Sequence, residues 1–105
     1  MCDELKTIRD RIINSIPVKK LYLFGSYANG TSNENSDFDF YIVIPNNGMR
    51  PIDAINAAYM AMRGLKRRPV DIMASTEEMF DKRSERATLE RKIAREGVLV
   101  YEYEQ

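Results

Sequence analysis

Residues 25–44 read GSYANGTSNENSDFDFYIVI, the most informative stretch of the sequence. It begins with a glycine–serine turn at Gly25 and Ser26, continues through ten residues, and then enters an apolar strand that carries Asp37 and Asp39. Side chains two residues apart on a strand point to the same side, so the two carboxylates project together. This arrangement is poor for stability but suits a divalent cation, and the N–H groups of the turn suit a phosphate. The stretch therefore predicts metal-assisted chemistry on a nucleotide.

The composition of the 105-residue chain excludes several kinds of chemistry. Sixteen Lys and Arg residues balance sixteen Asp and Glu residues, so no overall basic field attracts nucleic acid, and we expect no nucleic-acid partner. Histidine is absent and the single cysteine is Cys2, which removes histidine- and cysteine-based catalysis, disulfides and the usual zinc sites. Any metal must be bound by oxygen, which favours Mg²⁺, with Mn²⁺ as the alternative.

Length and hydropathy predict one domain over residues 1–105, in the cytoplasm. The N-terminal residues are charged and lack the apolar core of a signal peptide. No apolar run approaches the length of a membrane span, so we expect no membrane partner.

Apolar periodicity predicts helices that alternate with strands. The first half of the chain is predicted to form a helix capped by Asp3 and stopped by Pro17, strands at 21–24 and 37–44, and a helix that begins at Pro51. The second half is predicted to form a strand at 70–74, a helix that starts at Ser75 or Thr76, a helix at 84–95, and a final strand or tail at 98–101. In the helix at 84–95, Leu89 and Ile93 are expected to face inward and Gly97 to cap the end. This order predicts an α/β (α+β) fold, in which a small mixed sheet carries helices on one side.

Asp71 is a carboxylate within an otherwise apolar predicted strand. A buried acid is costly unless it is paired or bound to metal. If its strand lies beside the strand of Asp37 and Asp39, three carboxylates converge, and a cation would relieve their repulsion. Two divalent ions held in this way can stabilise the attacking and leaving oxygens of a phosphoryl transfer. The alternative is that Asp71 simply pairs with Arg67 or Arg68.

Two short motifs in the opening stretch also carry a resemblance. GSYANG at 25–30, followed by SDFD at 36–39, resembles the signature of minimal nucleotidyltransferases of the DNA polymerase beta superfamily. That signature is Gly-Ser, ten residues, Asp-x-Asp and a third acid on a later strand. The predicted elements also follow the family's order over essentially the whole chain, so the resemblance implies a polymerase-beta-like nucleotidyltransferase fold.

The resemblance implies a role for each matching residue. Gly25 and Ser26 would hold the triphosphate of the incoming nucleotide. Asp37 and Asp39 would bind two Mg²⁺ ions, and Asp71 would complete the metal site that activates the attacking hydroxyl. The three aspartates would thus be both catalytic and metal-binding. The implied reaction is the transfer of a nucleoside monophosphate with release of pyrophosphate.

The acceptor is suggested by a narrower resemblance. Small nucleotidyltransferases of this build resemble the antitoxin component of HEPN–MNT toxin–antitoxin pairs, which implies AMP transfer from ATP to a hydroxyl of a HEPN partner protein, with a tyrosine hydroxyl as the expected acceptor. Where the family often has arginine, this chain has Asn29. The loss of that charge favours one alternative, a module that neutralises its partner by occlusion, unless the basic run at 66–68 supplies charge. A second alternative is transfer to a small-molecule hydroxyl.

Overall fold

The chain folds into a four-stranded mixed sheet with four helices in the parts that the structure, a computed structural model, describes: residues 2–25, 37–65 and 68–103. The elements are α1 (Asp3–Ser15), β1 (Lys20–Phe24), β2 (Phe38–Ile44), α2 (Pro51–Ala61), β3 (Val70–Thr76), α3 (Glu77–Ser84), α4 (Leu89–Glu96) and β4 (Val98–Glu102). The strand order is β3-β2-β1-β4. β1 pairs antiparallel with β2 and β4, and β2 pairs parallel with β3. The predicted mixed α+β sheet is confirmed.

The central strand β2 is buried on both faces, which explains its unbroken apolar sequence. Phe38, Phe40, Ile42 and Ile44 point into the main core against α1 and α2. Tyr41 and Val43 alternate with them and pack with Phe80 of α3 and Ile93 of α4. The helices α1 and α2 thus lie on one side, but the short helices α3 and α4 cover part of the opposite face, so the prediction that the helices pack on one side is wrong for α3 and α4.

The prediction of one helix over residues 84–95 is wrong in its bounds, and it is also wrong in placing Leu89 in the core. The segment contains the last residue of α3 and most of α4, with a break after Ser84. The hydroxyl of Thr88 accepts a hydrogen bond from the Arg91 N–H, so a new helix begins there. This start turns Glu90 and Ile93 inward and leaves Leu89 38% exposed.

The other helix ends follow local capping chemistry. α1 has Cys2, not Asp3, at its N-cap, and Asp3 is its first helical residue. An acid at this position still stabilises the helix, because it lies near the positive end of the helix dipole. Pro51 occupies the first turn of α2 as predicted, and of the two proposed caps for α3 it is Thr76 that accepts the Met79 N–H.

The edge strand β3 is held by a side chain of α2. The hydroxyl of Tyr59 accepts a hydrogen bond of 3.1 Å from the Ile72 N–H, which β2 does not use. This contact ties the outer strand to the helix that leads into it. Within the described residues, no helix has both the length and the apolar character that a bilayer crossing requires.

Candidate active site

Asp39 and Asp71 lie side by side at one end of the sheet. They are direct partners in the parallel register of β2 and β3. Asp39 alternates with the core residues Phe38 and Phe40, so its carboxylate points away from the main core, toward the face that α3 and α4 partly cover. The expectation that the Asp71 strand lies beside the strand of Asp39 is confirmed by this register, which brings together two of the three acids predicted to converge.

Asp37 immediately precedes β2, because the strand begins at Phe38 and not at Asp37 as predicted. The Phe38 N–H donates to the Pro69 carbonyl oxygen at 3.1 Å and so aligns the entries of β2 and β3. Asp37 is exposed, and its negative charge helps to raise the pKa of Asp39.

Gly25 lies against the Asp39 carboxylate on the other flank. It follows Phe24, the residue that faces Asp39 in the antiparallel register of β1 and β2. Its φ is +77°, in the left-handed region that favours glycine. A Cβ at this position would also collide with Oδ2 of Asp39. Backbone conformation and close approach therefore both require glycine beside the acid.

The pKa of Asp39 is raised above its ordinary value. Partial burial is the largest cause, followed by the negative charges of Asp71 and Asp37 and by a hydrogen bond with Asp71. The three acids therefore form one electrostatic unit in which negative charge is destabilised. A divalent cation would reverse this penalty.

The donor set fits a hard divalent metal ion. Carboxylate oxygens are the ligands that Mg²⁺ prefers, and Asp39 and Asp71 are partners on neighbouring strands. In the parts of the chain that the structure describes, no three Asp, Glu, Cys or His side chains are grouped closely enough to enclose an ion. Asp37 thus adds negative charge near Asp39 and Asp71, but in this structure the three carboxylates do not come close enough to enclose an ion.

Arg68 has a structural role that links α1 to the start of β3. Its guanidinium lies 3.1 Å from the Glu4 carboxylate, its backbone N–H donates to the same group at 2.8 Å, and it stacks over the Phe38 ring at 4.5 Å. The other basic residues of the run, at 66 and 67, lie outside the described residues, as do Ser26 and Asn29.

A buried polar contact supports the face on which the acids lie. The hydroxyl of Tyr41 donates to the carboxylate of Glu90 at 2.9 Å, and Arg83 approaches the same carboxylate at 3.6 Å. Burial, reinforced by Glu90, raises the pKa of Tyr41 to about 12. The nearby Ser75 hydroxyl is buried without a hydrogen bond of good geometry, and it lowers this pKa. This contact docks α4 onto β2.

The sequence does not reveal a cavity of about 260 Å³ that Gly25 helps to line. Its walls come from Phe24 on β1 and from α4, which are far apart in the sequence. The signal available was Leu89, an apolar residue in a charged helix. Periodicity placed it in the core, whereas the structure places it at the rim of this cavity.

The fold and this end of the sheet define an α+β domain with two paired carboxylates beside a glycine turn, and the comparisons with known proteins identify its family. The family model described as a nucleotidyltransferase domain matches residues 2–100, so the chain belongs to that family and is an enzyme of the nucleotidyltransferase class. None of the curated proteins matches the chain.

Two solved structures share the fold. A candidate nucleotidyltransferase from Sulfolobus solfataricus aligns with a TM-score of 0.66 and 23% identity, over 96% of this chain and 79% of that one. A chain of a toxin–antitoxin complex crystallised with AMP-PNP aligns with a TM-score of 0.59 and 22% identity, over 99% of this chain and 77% of that one. At these identities the likeness supports the fold alone.

Proposed function

We propose that this chain transfers AMP from ATP to a hydroxyl group of a partner HEPN protein, in a magnesium-dependent reaction, and acts as that protein's antitoxin. The observation that carries the proposal is the pairing of Asp39 with Asp71 across two strands, with Gly25 against Asp39. A chain that shares this fold belongs to a toxin–antitoxin complex crystallised with AMP-PNP, an ATP analogue, and that complex motivates the choice of ATP and of a toxin as partner.

In this proposal each site residue has a separate task. Backbone N–H groups at Gly25 and Ser26, with the Ser26 hydroxyl, hold the triphosphate. Asp39 and Asp71 would hold Mg²⁺ directly, and Asp37 would complete its ligands from the start of β2; the ion would supply charge neutralisation at the reacting phosphate. The exposed Asp71 carboxylate, at the sheet edge, accepts the proton of the attacking hydroxyl. The new bond joins the acceptor oxygen to the α-phosphorus, and pyrophosphate leaves.

Transfer of label from α-labelled ATP to a co-purified HEPN protein tests the proposal. We expect the double variant Asp37→Asn and Asp39→Asn to lose transfer by at least about a thousandfold, because both carboxylates would be lost from the metal site. Asp53→Asn is the matched control, since Asp53 is an acid paired with Arg50 on α2, away from the site. Label transfer that survives in the double variant would refute the metal assignment.

The occlusion alternative remains because Asn29 replaces a charge that the resembled family often has. Co-expression with the toxin separates the two mechanisms. A catalytic antitoxin loses neutralisation in the double aspartate variant, whereas an occluding antitoxin keeps it. Detection of the modified tyrosine in the toxin by mass spectrometry would support catalysis directly.

A further inference from the structure

The cavity beside Gly25 adjoins the candidate active site, because Gly25 both lines the cavity and lies against the Asp39 carboxylate. Phe24, which also lines the cavity, is the cross-strand partner of Asp39. Neighbouring strands are about 4.8 Å apart, which places the two within the reach of one nucleotide. The described residues that line the cavity are Phe24, Gly25, Leu89, Lys92, Ile93, Glu96 and Gly97.

The lining combines apolar walls with one donor and one acceptor. Phe24 supplies an aromatic ring, and Leu89 and Ile93 supply aliphatic surface from α4. Lys92 can only donate hydrogen bonds and Glu96, when ionised, can only accept them. Ligand sites in proteins are typically of this composition, mostly apolar with a few polar groups that fix orientation.

We infer that this cavity receives the base of the nucleotide, an inference that rests on the proposed function. An aromatic heterocycle can stack on Phe24 and the aliphatic wall while its edge, which carries both donors and acceptors, meets Glu96 and Lys92. A purely apolar side chain of a partner protein would leave those two charged groups without a role. Leu89, which is 38% exposed, would then form part of the rim of the base-binding site.

The absence of tryptophan from the chain makes a direct test possible. Leu89→Trp places a single indole at the cavity, and Leu99→Trp places one at a residue of similar exposure, 44%, outside the cavity lining. Each variant is titrated with ATP and Mg²⁺, and separately with tripolyphosphate and Mg²⁺, and the tryptophan fluorescence is recorded. Calorimetric titration of the unaltered chain with both ligands gives the reference affinities.

We expect ATP to quench the indole at residue 89 in a saturable manner, because the base stacks against it, and tripolyphosphate to leave it unchanged. The indole at residue 99 should respond to neither ligand. A second variant, Leu89→Ser, should weaken ATP about fivefold by removing apolar contact, with no effect on tripolyphosphate.

Two results would overturn the inference, and they differ in their consequence for the proposed function. If the unaltered chain binds ATP and the indole at residue 89 does not respond, the base lies elsewhere and only the inference fails. If the unaltered chain binds neither ATP nor tripolyphosphate, the inference and the proposed function fail together.

Discussion

Gly25 is the residue at which the backbone and the candidate site constrain each other most directly. Its left-handed φ and its contact with the Asp39 carboxylate are separate demands, and either alone favours glycine. Gly64 has a similar φ of +83° but open space where a Cβ would stand. The two glycines therefore allow strain and collision to be measured separately.

We predict that Gly25→Ala destabilises the fold by about 3 kcal/mol, the sum of left-handed strain and overpacking against Asp39. Gly64→Ala, the control, should cost about 1 kcal/mol from strain alone. Chemical denaturation gives both values. In an Asp39→Ala background the extra cost at Gly25 should fall to that of Gly64. Equal costs for the two glycines in the unaltered background would contradict the collision.

Tyr41 contributes to the pH dependence of the free energy of unfolding. Its pKa is raised to about 12, mainly by burial, against an ordinary value of 10.0. The folded state therefore holds the phenol proton more tightly than the unfolded state, so this contribution is fully present below pH 10 and is lost as the pH rises toward 12. We expect Tyr41→Phe to flatten the alkaline decline in the free energy of unfolding.

The same substitution should cost about 2 kcal/mol at pH 7, because the buried Glu90 loses the hydroxyl that donates to it. Tyr103→Phe is the control, since the Tyr103 side chain is 51% exposed. Urea unfolding at several pH values measures both effects. An unchanged alkaline slope in Tyr41→Phe would show that another group is responsible.

At the scale of elements, α4 depends on a single capping side chain. Eight residues are too few for a helix to be stable alone, so α4 relies on its cap and on packing against the sheet. We predict that Thr88→Ala costs about 1 kcal/mol by leaving the Arg91 N–H without its acceptor. Thr88→Ser keeps the hydroxyl and should be nearly neutral. Thermal unfolding of both variants compares them.

The elements that the sequence predicts well are those with strong local signals. β2 is marked by a continuous apolar run, α2 by Pro51 and helical spacing, and the start of α3 by Thr76 with two following acids. The break before α4 was missed because residues 84–95 keep a helical pattern of charge throughout. A threonine within such a pattern reads equally well as an exposed helical residue or as a cap, and only tertiary packing of Glu90 and Ile93 decides.

At the scale of the whole molecule, the sheet places a cluster of acids where their repulsion opposes folding. We predict that Asp39→Asn raises the stability of the metal-free protein by about 0.5 kcal/mol, because it removes like charges that face each other across two strands. The gain should appear in urea unfolding with a chelator present. A loss of stability would indicate that the Asp39 carboxylate makes a favourable contact with the fold.

Without metal, Asp39→Asn is expected to be more stable than the unaltered chain, and ligand binding should reverse this order of stability. With Mg²⁺ and ATP at tenfold excess over Kd, the unaltered chain gains about 1.4 kcal/mol of stability, whereas Asp39→Asn gains little. The melting temperature of the unaltered chain should then exceed that of the variant. The reversal separates a binding site from acids that are merely solvated.

Much of the candidate site could be predicted because its acids stand at informative positions. Asp39 and Asp71 each interrupt an apolar strand, and such interruptions are costly without a ligand. The cavity was beyond prediction because its walls meet only when α4 docks on β1. Leu89 stands out as an apolar residue in a charged helix, but that pattern does not indicate that it meets Phe24.

The parallel pairing of β2 with β3 also orders the steps by which the site is assembled. β1 and β2 are consecutive and antiparallel, whereas β3 joins β2 only after the chain has crossed over through α2. Pairings across longer loops close later, since more chain entropy must be lost first. During synthesis Gly25 and Asp39 can therefore meet before Asp71 leaves the ribosome. On the proposed function, the nascent chain would lack the carboxylate that accepts the proton of the attacking hydroxyl until β3 has emerged.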